Sequence, residues 1–306
     1  MMMFMTRTAA LFFATLLTAS AQARDEFVFI FQKQKDPATL KVTADRMGDL
    51  IGRELGRPVR VIIPTDYSAS VQALISGQAD AAYVSALPFL LARRDGGAAL
   101  LMAEQRLDGT GVARTDYDSI FVVRADSPLK HYDDFKAQVK TLRMVFTSPT
   151  STSGYVFPYR RLIADGLLTP KQDPRAAFKQ TAFGGSYTQA LREVLDNRAD
   201  VAAVSDYTME GPNADIYLPK SDRAKLRVLA RTPGVPTHLI AVRKGLDAKT
   251  KTQIRNALKK IAKDNPDLLA DVYGAAKFVD VDEDQHVAGA VRAIESTGMP
   301  IEGLAR

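Results

Sequence analysis

The sequence predicts an α/β protein of two similarly built lobes, joined by two crossover strands that act as hinges, with a ligand cleft between the lobes. Three observations carry this prediction. Strands and helices alternate from Glu26 onward, a stretch of the first half recurs 120 residues later, and two extended segments stand where the chain would pass between lobes.

The elements follow in order. Arg7, the apolar run Ala9 to Thr18 and then Ala21-Gln22-Ala23 read as a cleavable export signal over residues 1–23, which predicts a periplasmic location. Removing it leaves 283 residues, more than one core usually supports, so two domains are expected. Phe27 to Phe31 is a strand. Asp36-Pro37 caps and starts a helix through Leu40, Met47, Ile51 and Leu55, which Gly56 ends. Val59 to Ile63 is the next strand, Asp66-Tyr67-Ser68 opens a helix through Val71, Leu74 and Ile75, and Ala79 to Val84 is a third strand. A further helix starts near Pro88. This alternation predicts a mainly parallel sheet covered on both faces.

Tyr67 to Ser85 and Tyr187 to Ser205 match at an offset of 120: Ala79-Asp80 with Ala199-Asp200, Ala82 with Ala202, and Val84-Ser85 with Val204-Ser205. Ile120 to Arg124 is a strand continuing into Ser127-Pro128. Leu226 to Ala230 is another, leading through Thr232-Pro233-Gly234-Val235-Pro236 into a strand at Leu239 to Val242. The expected division is 24–123 for the first part of lobe 1, 124–231 for lobe 2, and 232–306 for a return to lobe 1. Helices near Ala248 to Ala262, Pro266 to Tyr273 and Asp282 to Glu295 would pack on that lobe.

Composition excludes several chemistries. The net charge is +6, and it is dispersed among acids along the helices, which argues against nucleic acid. There is no cysteine, hence no disulfide, thiolate metal site or lipid-anchoring cysteine. His131, His238 and His286 show no metal-ligand spacing. Ser127-Pro128-Leu129-Lys130 lacks the motifs that accompany a catalytic serine–lysine pair. Asp280 to Asp284 lacks the glycine and terminal glutamate of a calcium loop. No cofactor is expected.

Polar and aromatic residues gather instead at predicted element ends. Pro149-Thr150-Ser151-Thr152-Ser153-Gly154-Tyr155 links a strand at Leu142 to Phe146 with a helix bearing Val156, Phe157, Leu162 and Ile163. Its hydroxyls can cap that helix, and the unpaired first N–H groups there can hold an anion. Tyr67, Tyr117, the segment Gly184-Gly185-Ser186-Tyr187, Asp206-Tyr207 and Thr237-His238 fall at the same predicted cleft mouth.

Asp66-Tyr67, Tyr117-Asp118-Ser119 running into Arg124-Ala125-Asp126-Ser127-Pro128, and above all Ser151-Thr152-Ser153-Gly154-Tyr155 carry a resemblance over the whole mature chain. The sequence resembles the phosphonate/phosphite/phosphate-binding (PhnD-type) periplasmic proteins of ABC importers. The resemblance implies a class II two-lobed binding protein in which Ser151, Thr152, Ser153 and Gly154 hold the oxyanion. It also implies that Tyr67 and Tyr117 close over the ligand from the other lobe. A family histidine is replaced by Ser186, and the family's amine-binding carboxylates fall near Tyr207, with Asp206 adjacent, and at His238. That departure favours an oxyanion without an amine.

The expected function is capture of a phosphonate, phosphite or phosphate-like oxyanion by a monomer and its delivery to an ABC transporter permease. Signalling to a membrane sensor kinase is the alternative output. Hydrolysis with Ser151 or Ser153 as nucleophile is a further alternative that lacks an evident general base.

Overall fold

The structure, a computed structural model, describes residues 26–301. The expected export signal lies outside the described residues. The chain runs β1 (Phe27–Phe31), α1 (Pro37–Leu55), β2 (Val59–Ile62), α2 (Tyr67–Ile75), β3 (Ala81–Val84), α3 (Ala86–Gly96), β4 (Ala99–Leu107), β5 (Ala113–Arg114) and β6 (Asp116–Arg124). It continues through α4 (Tyr132–Gln138), β7 (Arg143–Phe146), α5 (Phe157–Ala164), β8 (Gln180–Phe183), α6 (Tyr187–Leu195), β9 (Val201–Ser205) and the short α7 (Lys220–Arg223). The return is made by β10 (Leu226–Pro236), β11 (Leu239–Val242), α8 (Ala248–Asp264), α9 (Pro266–Tyr273), β12 (Lys277–Val279) and α10 (Glu283–Thr297).

Two sheets form the two lobes. The first has the order β12-β4-β11-β3-β1-β2, with β5 added on β4; the second has the order β10-β6-β9-β7-β8. β1 pairs in parallel with β2 and β3, and β7 with β8 and β9, as the alternating pattern predicts. The sheets are nonetheless mixed. Chain returning from the opposite lobe enters antiparallel, so β11 runs against β3 and β4, while β6 runs against β9 and β10.

Strand alternation divides the first lobe's core. Phe27, Phe29 and Phe31 of β1 face Leu40, Met47 and Ile51 of α1, backed by Ile254 and Leu258 of α8 and Leu269 of α9. Val28 and Ile30 point the other way, onto Val71 and Leu74 of α2 and Leu87 and Leu90 of α3. Burying each of these side chains contributes about 1.5–3 kcal/mol. Asp36 caps α1 by accepting from the Thr39 N–H at 3.0 Å, and Gly56 ends it at φ 67°.

The recurrence at 120 residues is structural. α2 and α6 each span nine residues and begin at the matched tyrosines. Asp80 Oδ2 accepts from the Val28 N–H at 2.9 Å, and Asp200 Oδ2 accepts from the Arg143 N–H at 2.7 Å. Each aspartate thereby holds the start of the strand beside it.

Three details differ from the sequence expectation. The expected boundaries at 123/124 and 231/232 fall inside β6 and β10, because both crossover segments are full strands of the second sheet. Thr232 to Pro236 belongs to β10, which absorbs Pro233 and Gly234 through a register shift between Thr232 and Val235, a further shift lying between Val228 and Ala230. α10 does not pack on the first lobe alone. Its start is tied to the first lobe by Arg93 to Glu283 (3.0 Å) and Asp284 (2.8 Å), and its end to the second, where the Lys171 N–H donates to Thr297 O at 2.8 Å.

Candidate functional site

The carboxyl end of β7 sets the site. The Ser-Thr-Ser run enters α5 through a π turn rather than directly through an α-helical one: the Val156 N–H donates to Ser151 O, five residues back, at 3.2 Å. Gly154 permits this turn, since a Cβ there would lie 2.2 Å from Thr147 Oγ1 and 2.4 Å from Thr147 Cβ. Thr147 in turn donates through its N–H to Gly154 O (3.1 Å) and through its hydroxyl to Ala203 O (2.9 Å). Ser151, Thr152 and Ser153 are all fully buried.

Ser153 is the centre of a hydroxyl cluster. Its Oγ lies 2.8 Å from Ser205 Oγ, 3.0 Å from the Tyr187 hydroxyl and 3.4 Å from the Tyr117 hydroxyl, and Ser119 Oγ fixes its carbonyl at 2.6 Å. Among the described residues, the first lobe's buried groups without a hydrogen-bond partner include the Tyr67 hydroxyl and Ser70 Oγ of α2, and Gln34 Nε2. Burial first, then the neighbouring Tyr187 hydroxyl, pushes Tyr67 well above the usual tyrosine range, so it stays protonated. Burial does the same for Tyr117 and Tyr207. Tyr67, Tyr117 and Tyr207 therefore stay as neutral O–H donors beside Ser153 and Ser205, an arrangement that can solvate a buried anion.

A charged layer stands behind these rings. Glu104 is engaged by Arg106 and by the Tyr83 hydroxyl. Burial alone would raise Glu104, but Arg106, followed by His238, outweighs it and holds the carboxyl down at about 2. Arg106 also donates to Tyr273 O at 2.5 Å and lies 3.6 Å from the centroid of the Tyr207 ring. His238 lies parallel to the Tyr117 ring, with centroids 6.1 Å apart and planes 12° apart, and its Nδ1 lies 3.5 Å from Glu104 Oε1. Burial lowers its pKa despite Glu104 nearby, so the imidazole is neutral.

The structure brings Ser153, Tyr117, Tyr207 and His238 together with Tyr67 across the cleft, and gives the other candidates different tasks. Ser151 Oγ accepts from the Gly154 N–H at 3.0 Å, which makes it the cap of the turn and commits that N–H. Thr152 Oγ1 accepts from the Leu87 N–H of the first lobe at 2.8 Å. Ser186 caps α6, accepting from the Gln189 N–H at 3.2 Å. Asp206 turns to the main chain, accepting from Asp118 N (3.1 Å) and Tyr207 N (2.7 Å), and burial raises it to about 6. Tyr117 does not approach from the lobe opposite Ser153, because it sits on β6, a strand of the same sheet.

Ser205, Gln34, Glu104 and Arg106 escape the sequence reading, which places Tyr187 at the cleft mouth as a helix start without making it a binding residue. Tyr187 and Ser205 were detectable as the 120-residue partners of Tyr67 and Ser85.

The sequence profile described as "ABC transporter, phosphonate, periplasmic substrate-binding protein" matches residues 29–286. The chain belongs to this family. A similar family protein is the phosphonates-binding periplasmic protein of Escherichia coli (strain K12), 27% identical over 211 residues. The match covers 66% of this chain and only 56% of that relative, little more than half its length. Among solved structures, a binding protein component of an ABC phosphonate transporter from Pseudomonas aeruginosa superposes with a TM-score of 0.76 at 21% identity, covering 92% of each chain. PhnD1 from Prochlorococcus marinus in complex with methylphosphonate superposes with a TM-score of 0.71 at 17% identity, covering 89% of this chain and 99% of that one. The two superpositions show that the two-lobed fold is the family's.

Proposed function

We propose that this chain is exported to the periplasm, captures a phosphonate, phosphite or phosphate-like oxyanion between its lobes, and delivers it as a monomer to an ABC transporter permease. The observation that carries this reading is the buried hydroxyl cluster around Ser153, with Tyr67 contributed from the opposite lobe. Hydrogen bonds to a charged acceptor are worth about 1.5–3 kcal/mol each, so three or four of them support tight binding after the association cost.

Two features support binding without turnover and an anion without an amine. Ser153 has hydroxyl neighbours and Ser151 a backbone one, and among the described residues neither is hydrogen-bonded to an imidazole or carboxylate that could deprotonate it. The carboxylate in the layer behind the cluster, Glu104, is already neutralised by Arg106, leaving it no charge to offer an ammonium group.

A thermal-shift panel of phosphate, phosphite, methylphosphonate and 2-aminoethylphosphonate tests the reading. One or more of the first three is expected to raise Tm, most strongly for the cognate oxyanion, and Ser153→Ala and Tyr67→Phe are expected to abolish most of the shift. If no oxyanion stabilises the wild-type protein, the reading fails.

A further inference from the structure

Two helix N-termini facing the cleft receive their acceptors from the opposite lobe. Ser85 precedes α3 but makes no capping bond; its hydroxyl lies 3.3 Å from Gln32 Nε2. The Leu87 N–H, one of the donors of the first turn that no helical carbonyl can satisfy, donates across the cleft to Thr152 Oγ1 at 2.8 Å. In the reverse direction the Tyr187 N–H, the first of α6, donates to Gln34 O at 3.1 Å. The loops after β1 and β7 thus each cap a helix of the opposite lobe.

Of the three hydroxyls in the Ser-Thr-Ser run, Ser151 closes its own turn and Ser153 joins the cluster within its own lobe, while Thr152 reaches across. Thr152 is fully buried, and among the described residues its own proton has no protein acceptor. A hydroxyl carries one donor beside its acceptor lone pairs.

We propose that Thr152 is a closure relay, accepting from the Leu87 N–H of the first lobe and donating its own proton to the oxyanion held by the second. This rests on the oxyanion reading above. Donation to an anion polarises the hydroxyl and makes its oxygen a better acceptor, so the ligand strengthens the bond that docks the opposite lobe. The ligand then interacts more favourably with the closed arrangement than with an open one, which is the requirement for binding to drive closure. Thr152 is in this sense a positioning residue as well as a contact.

The test compares wild type, Thr152→Ser and Thr152→Val, with methylphosphonate and inorganic phosphate as probes, by calorimetry and small-angle scattering. Wild type and Thr152→Ser are expected to bind and contract alike. Thr152→Val is expected to bind about 10- to 100-fold more weakly, through loss of a charge-assisted bond, and to remain more expanded than wild type at saturation. A Thr152→Val protein that contracts fully at saturation overturns the relay and leaves the oxyanion reading intact. Wild-type protein that binds neither probe removes both. Independently of any variant, ligand is expected to slow hydrogen exchange at the Leu87 amide of the wild-type protein, and an unchanged rate there overturns the proposal.

Discussion

Glu104 and Arg106 form a buried ion pair beside the ring of Tyr207. Both side chains are almost fully buried, and removing one charge strands the other. Glu104→Gln is expected to cost about 3–5 kcal/mol in denaturant unfolding. The pH dependence follows from the depressed carboxyl: its ordinary value is 4.5 and its folded value about 2, so the stabilisation is complete above 4.5 and is lost as pH falls towards 2. Acid titration of stability is therefore expected to fall less steeply between those values in Glu104→Gln than in wild type. Neither residue was legible as part of the site, because they lie two apart on β4, a strand the sequence reading leaves unassigned. Asp206, by contrast, was legible as polar and near the cleft, but a sequence does not say which way a carboxylate turns.

At the scale of elements, the helices of the first lobe were read almost to the residue where a capping aspartate and a terminating glycine bracket them, as at Asp36 and Gly56. The Ser-Thr-Ser run was legible as a helix entry. Its π geometry was not, since that depends on Thr147 pressing against Gly154 from the strand end. The short strands β8 and β12 were missed because their register comes from neighbouring strands rather than from their own pattern. The paired aspartates offer a test of the repeat. Asp80→Ala and Asp200→Ala each leave a strand N–H without its acceptor, and each is expected to cost about 1–3 kcal/mol. A change in only one of the two unfolding free energies would show that the lobes use the matched residues differently.

At the scale of the molecule, the two crossovers were legible as extended segments linking α/β units, whereas their membership of the second sheet depends on pairing between β6 and β10. The feature with the widest consequence is α10, held at its start by Arg93 on α3 and at its end by the backbone of Lys171 in the second lobe. Gly289 lets it lie directly on the crossover, because a Cβ there would sit 2.4 Å from Gly234 O. Gly289→Ala is expected to lift the helix from β10 and lower Tm; an unchanged Tm would mean that the contact carries no strain. Mechanically, a rod pinned at both ends to two moving bodies and resting on their flexure allows them to swing about an axis close to its own length. It resists any motion that draws the pinned ends apart. The lobes of this protein should therefore twist open around α10, and the angle they can reach is set by how far Thr297 can travel before it releases Lys171.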